Sequence, residues 1–227
     1  MGKLIENNFY HIYNKSIAGY EIFNSEKDYE RAMKAMRFFL YGNKLNRFCD
    51  LLDLKEVENK GFLNVLESRT KDKDPVVDVI SYCLMPTHFH FVLKENEVDG
   101  ISKFISDFSN SYTRYFNNKY NRKGTLWESS YKRVEVDSDE QLLHLTRYIH
   151  LNPTSANLVN EPEDWKWSSF KEYINDCSQI SISNWKDLLD INPEEYKEFV
   201  RARKQHQAQL SIIKNKIIED PHLNLKG

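Results

Sequence analysis

Short β-branched and aromatic runs alternate with amphipathic stretches over residues 9–136 in the order β-α-β-β-α-β. That order predicts an α+β, ferredoxin-like sheet with helices on one face. Two further helical stretches follow it, one ending near a proline at 153 and one long and charged after 193. They predict a helix outside the sheet and a C-terminal helical extension. The division expected from this is a domain over 1–175 and an extension over 176–227.

Residues 9–17, FYHIYNKSI, read as the first strand, because aromatic and β-branched side chains fit a pleated surface. After Asn24 and Ser25, a possible cap, EKDYERAMKAMRFFLYG places Tyr29, Met33, Met36, Phe39 and Leu40 at helical spacing, and Gly42 closes the helix. Residues 43–75 are charged and mixed, and are expected to be a loop with one short helix near 54–59. VVDVISYCLM (76–85) is the second strand, Pro86-Thr87 a turn, and HFHFVLKE (88–95) the third strand. ISKFISDFSNSYTRYFNNKY then carries Ile101, Phe104, Ile105, Phe108, Tyr112, Tyr115 and Phe116 on one broad stripe. TLWESSYKRVEV (125–136) is the fourth strand. From Ser138, paired with Gln141 as a capping box, a helix runs to about Leu151 with Leu142, Leu145 and Ile149 inward. Pro153 is expected to end it by pushing Asn152 out of helical angles. EDWKWSSFKEY (163–173) is aromatic and expected to pack back on the domain, and a long charged helix is expected over 193–219.

Composition narrows the function classes. Hydrophobic content of 40% with 29% charged residues is ordinary for a globular protein. No apolar run approaches the roughly 20 residues that span a bilayer, and MGKLIENNFYHIYNK lacks a secretory signal's apolar core. Cys49, Cys83 and Cys177 have no metal-like spacing, so buried, reduced thiols in a cytoplasmic, non-membrane protein are expected. The net charge of −2 gives no global sign of nucleic acid, so that case rests on local patches.

The first such patch is MPTHFHFVL. Alternation puts His88 and His90 on one face of a strand and Phe89, Phe91 and Leu93 on the other. In the expected topology the first and third strands are central, so both imidazoles sit mid-sheet. Two neutral imidazoles at that separation can share a divalent metal, or simply be hydrogen-bonded on a half-exposed face. Tyr148 and Asn152, four apart, share a flank of the later helix. If that flank covers the histidines, Asn152 can lend a carbonyl oxygen to the metal and Tyr148 a phenolic oxygen beside it. Otherwise Tyr148 is one more half-buried helix tyrosine. His144 and His150 are further candidates whose angular positions carry them away from that flank.

The second patch is residues 112–133. Arg114, Lys119, Arg122, Lys123, Lys132 and Arg133 stand there against one acid, Glu128, interleaved with Tyr115, Phe116, Tyr120, Trp127 and Tyr131. Cations for phosphates and rings for bases suit a single strand, although Phe116 and Trp127 fit a core equally well. Asn14 and Lys15 are weaker candidates of the same kind.

In order along the chain, YHIYNKSIAGYEIF, YCLMPTHFHFVLK, YTRYFNNKYNRKGTLWESSYK, TRYIHLNP and WKWSSF resemble the single-tyrosine HUH transposases, in particular the REP-associated tyrosine transposases. The resemblance covers roughly residues 8–173. It implies that His88, Phe89 and His90 form the histidine–hydrophobic–histidine motif and that Tyr148 is the nucleophile. It also implies that Asn152 is the metal-assisting amide, a position where some relatives carry glutamine. Ser129-Ser130 stand where an arginine is frequent, the linker 43–75 is longer than usual, and the helix after 193 lies outside the shared core. The implied activity is nicking and rejoining of single-stranded DNA, hairpin-containing, through a 5′-phosphotyrosine, with catalytic Tyr148, His88 and His90. The implied cofactor is magnesium or manganese on His88, His90 and Asn152, and a homodimer is possible. The alternative is a non-catalytic binder of single-stranded DNA or structured RNA on the same fold.

Overall fold

The computed structural model describes residues 8–42, 47–175, 181–186 and 188–202. Four strands form one sheet: β1 (Phe9–Lys15), β2 (Val77–Met85), β3 (His88–Glu95) and β4 (Lys132–Val136). Their order across the sheet is β2-β3-β1-β4, antiparallel throughout, so β3 and β1 are central. With α1 (Glu26–Phe39) after β1 and α5 (Gly100–Lys119) after β3, this is the expected ferredoxin-like α+β arrangement.

The two sheet faces carry separate apolar layers. On one, Tyr10, Ile12, Phe89, Phe91 and Leu93 meet Met36 of α1 and Phe104, Phe108 and Tyr112 of α5. The stripe read in the sequence is that contact surface. Gly100 opens α5 where a Cβ would lie 2.3 Å from the Val76 carbonyl oxygen, so only glycine lets helix and strand meet so closely. The α5 N-terminus is held by the buried Glu95, whose carboxylate accepts from the Ile101 amide at 3.1 Å. On the other face, Ile80, Cys83, Met85 and Val92 lie under α6 (Asp139–Ser155), α7 (Phe170–Ile174) and α8 (Pro193–Arg201).

WKWSSF closes the outer edge of β2. The Leu84 amide donates to the Trp167 carbonyl at 2.9 Å, the Ser169 amide to the Tyr82 carbonyl at 3.0 Å, and Trp165 Nε1 to the Leu84 carbonyl at 3.0 Å. Trp167 stacks on Tyr29 with ring centres 4.7 Å apart. β4 remains an open edge, short and charged, as unpaired edges commonly are.

Several expectations are corrected. Residues 47–75 hold three helices rather than one: α2 (Phe48–Leu52), α3 (Lys55–Lys60) and α4 (Phe62–Thr70), whose Phe48, Leu51, Phe62, Val65 and Leu66 are buried. The fourth strand starts at Lys132, not 125, because the preceding stretch meets the chain just past β1 only in an isolated antiparallel bridge, Trp127 to Ser16, and Asn14 Nδ2 donates to the Ser129 carbonyl in between. Pro153 does not end α6, which continues to Ser155. Pro153 removes the donor for the Ile149 carbonyl, and Asn152 Nδ2 supplies a substitute at 3.5 Å while also reaching the Tyr148 carbonyl at 3.0 Å. The capping box is offset: Ser138 Oγ accepts from the Gln141 amide, but Gln141 accepts from the amide of Asp137. Cys83 is buried, whereas Cys49 is exposed; Cys177 lies outside the described residues. The helix expected over 193–219 is described as Pro193–Arg201, and the rest falls outside the described residues. No described helix is long and apolar enough to cross a membrane.

Candidate active site

The site forms where the central strands run beneath α6. The β1–β3 register sets Tyr13 opposite His90 and Lys15 opposite His88, so all four side chains share one face. His11, two residues before Tyr13, joins them. Its Nε2 lies 3.0 Å from His90 Nδ1, and the two rings stack with centres 5.2 Å apart. His88 and His90 are 5.1 Å apart, nearly perpendicular, and His88 Nδ1 lies 2.9 Å from Thr87 Oγ1. Tyr148 comes down from α6 with its ring 5.8 Å from His90 and 6.4 Å from His11, edge-on to both. The structure thus brings His88, His90 and Tyr148 together, with Asn152 one turn further along the same helix.

Burial sets the charges. It lowers the pKa of His11 to about 4 and that of His88 to about 4, with Lys15 pushing His88 further in the same direction. His90 is held well below the usual range by burial, and its neighbours His88, His11 and Lys15 add to the effect. These imidazoles are neutral at pH 7, the form that binds a cation. Tyr148 is raised by burial and by Tyr13, and a hydrogen bond from Asn152 works against that rise.

Among the described residues, no group of three or more His, Cys, Asp or Glu side chains is placed to hold a metal. A cation here would therefore rest on two imidazoles and on oxygen donors of another kind. The donor set fits that arrangement. His88 and His90 each engage Nδ1 with a neighbour, Thr87 and His11, which leaves Nε2 as the ligating atom. Asn152 turns its amide nitrogen onto helix carbonyls, and its oxygen is the atom left to ligate.

The basic candidates scatter. Lys15 and Lys132 share the histidine face, Lys132 lying opposite Tyr13 on β4. Arg133 lies opposite Ile12 and so belongs to the reverse face. Asn14 is buried, its amide committed to the Ser129 carbonyl at 3.0 Å. Arg114 and Lys119 sit on α5, across the sheet from Tyr148, and Lys119 is bound to Asp28 at 2.7 Å. Arg122 binds the Thr125 carbonyl at 2.8 Å, closing the turn after α5 in which Lys123 is exposed. His144 is exposed on α6, and His150 is fully buried between Tyr196 and Ser169 at 2.7 Å each, apart from the site.

Sequence reasoning missed His11 and Tyr13. Their signal was the alternation in FYHIYNK: Tyr10 and Ile12 are core, so His11 and Tyr13 must point to the other face, which β3 shares with His88 and His90.

Known proteins give this arrangement a context. A solved structure of a REP-associated tyrosine transposase bound to a REP hairpin has 13% identity and a TM-score of 0.48, covering 84% of this chain and 95% of that one. A candidate transposase from Deinococcus radiodurans has 15% identity and a TM-score of 0.27, covering 66% and 90%. In sequence, a candidate REP-associated tyrosine transposase of Haemophilus influenzae is 24% identical over 125 residues, which is 50% of this chain and 69% of that protein. Residues 55–152 match the family model "Transposase IS200 like", a segment that contains His88, His90 and Tyr148 and ends on Asn152. Over that segment, somewhat less than half of its length, the chain is similar to the IS200-like transposase family.

Proposed function

We propose that the protein nicks and rejoins single-stranded DNA, hairpin-containing, with Tyr148 as nucleophile and His88, His90 and Asn152 as ligands of a magnesium or manganese ion. The observation that carries this reading is the Tyr148 ring standing 5.8 Å from His90 above two neutral imidazoles. When bound, the cation supplies a Lewis acid toward a non-bridging phosphate oxygen.

The rest is the work of the chain. Tyr148 Oη attacks phosphorus, forming the Oη–P bond as the P–O3′ bond breaks; the phenolic proton is lost and the leaving 3′ oxygen gains one. The 5′-phosphotyrosine keeps the phosphodiester's energy, so a strand end can reverse the step without a nucleotide cofactor. Partial burial of Tyr148 raises its phenol pKa, so polarisation of the hydroxyl is needed for attack. Lys15 and Lys132 on the same face supply positive charge for the phosphates on either side.

The test is Tyr148→Phe against wild type, with a hairpin-flanked oligonucleotide and divalent metal, read as a covalent protein–DNA adduct on denaturing gels. Wild type should form the adduct and the variant should not. Equal adduct from both removes Tyr148 as nucleophile. Binding without adduct from wild type, across metals and substrates, favours a non-catalytic single-strand or RNA binder on the same fold.

A further inference from the structure

Across the sheet from Tyr148, a cleft of about 610 Å³ opens between α1, α2 and α5. Arg31, Arg47, Arg114 and Lys119 line it together with Phe48 and Tyr115. Its charge balance is one-sided. Asp107, the one acid among the described lining residues, lies 3.9 Å from Lys103, and Asp28 is committed to Lys119 at 2.7 Å. Among the described residues, no carboxylate is in ion-pair contact with Arg31, Arg47 or Arg114. Asp53 acts on Arg31 only through space.

Arg31 is the informative residue. Its guanidinium lies 4.1 Å over the Phe48 ring and 5.5 Å from the Tyr115 ring centre, and its Nε is buried with no hydrogen-bond partner. A guanidinium partly withdrawn from water, with its buried Nε unmet, is the more costly without an anion to answer it. The aromatic walls are partly engaged as well: Arg31 covers Phe48, and the Tyr115 hydroxyl donates to Asp28 at 2.9 Å. Cations already lie against both rings, Arg31 over Phe48 and Lys119 5.6 Å from the Tyr115 ring centre, so recognition here is read as one of charge, and forked guanidinium donors match phosphate oxygens.

We infer that the cleft between α1, α2 and α5 is a phosphate-binding site, distinct from the histidine face, formed by Arg31, Arg47 and Arg114. The phosphate belongs either to a nucleic-acid backbone or to a small phosphate compound. The inference needs no cleavage at Tyr148, and it gives Arg114 a defined setting beside two arginines outside the basic stretch 112–133.

The experiment uses the full chain carrying Tyr148→Phe, in chelator, so that its outcome is independent of the adduct assay. The probes are a fluorescent oligo-dT, followed by anisotropy at several salt concentrations, and inorganic pyrophosphate, followed by calorimetry. Arg47 and Arg114 are exposed, so the double variant Arg47→Gln/Arg114→Gln should fold. It should weaken binding about tenfold or more and lower the salt slope for oligo-dT by about 1.4, at ~0.7 per cation on a single strand. Loss for oligo-dT alone identifies a strand, and loss for pyrophosphate as well identifies a free phosphate compound. Unchanged affinity and slope for both probes, or no binding of either by the parent, overturns the inference.

Discussion

Between His11 Nε2 and His90 Nδ1, 3.0 Å apart, only one proton can sit. If His90 ligates through Nε2, that proton is on His90 Nδ1 and His11 accepts it. In that proposed arrangement His11 would fix the tautomer and ring angle of His90, as outer partners of metal-bound histidines do. The same burial makes stability depend on pH. His88 titrates at about 4 and His150 at about 3, against about 6.5 in the unfolded chain. The unfolded state therefore takes up protons first, so stability is complete above about pH 6.5 and is lost as pH falls toward 4. At pH 5 each of these two residues costs about 2 kcal/mol, and His11, also at about 4, acts in the same direction. Melting temperature should therefore fall steeply between pH 7 and pH 5. A flat profile would mean that these rings are protonated in the folded protein.

At the level of elements, α6 carries Tyr148 past a proline with a side-chain repair. Asn152 Nδ2 serves the Tyr148 and Ile149 carbonyls, and the latter has lost its own donor to Pro153. Asn152→Ala and Asn152→Asp should both destabilise by about 1–2 kcal/mol in denaturant melts, since neither can donate to those carbonyls. Aspartate would be an equal or better cation ligand, so a loss of stability shared by both variants isolates the helix role; an undiminished Asn152→Asp protein would show that the repair contributes nothing. This explains why the sequence misled here. The rule that a proline ends a helix describes backbone bonds and does not see an amide side chain one residue away. Of the helices of 48–70, α3 was legible as the short helix near 54–59, whereas α2 and α4 were hidden: Phe62, Val65 and Leu66 do have helical spacing, but five and nine residues are too few turns to make a clear stripe. By contrast, β3 and α5 were legible nearly to the residue, because alternation and a wide aromatic stripe leave one solution each. His88, His90 and Tyr148 were legible through their motifs. His11 was not, since its partner is set by strand register, which one strand's sequence does not reveal.

For the whole molecule, the boundary expected at 175/176 becomes a packing question. Trp185, Leu189, Tyr196 and Val200 are 4%, 6%, 0% and 0% exposed, and they form one apolar layer with Leu142, Ile149, Phe170 and Tyr173. The Tyr196 hydroxyl ties this layer to α6, meeting His150 Nδ1 at 2.7 Å and donating to Thr146 Oγ1 at 3.0 Å. α8 is itself well anchored, with Asn192 and Glu195 forming a reciprocal capping box. Burial of large side chains contributes about 1.5–3 kcal/mol each, so losing four of them removes a share comparable to the 5–15 kcal/mol that holds a typical domain together. A chain cut after Asn175 should therefore fail to melt cooperatively, whereas one cut after Ala202 keeps the layer and should melt close to the full-length chain. Because α6 is the helix uncovered, the shorter chain should also lose the Tyr148 adduct even if a fraction stays in solution. Calorimetry and the adduct gel on both truncations decide the matter: a cooperative melt and full adduct from 1–175 would mean that the ferredoxin-like sheet positions its tyrosine helix without the segment that follows.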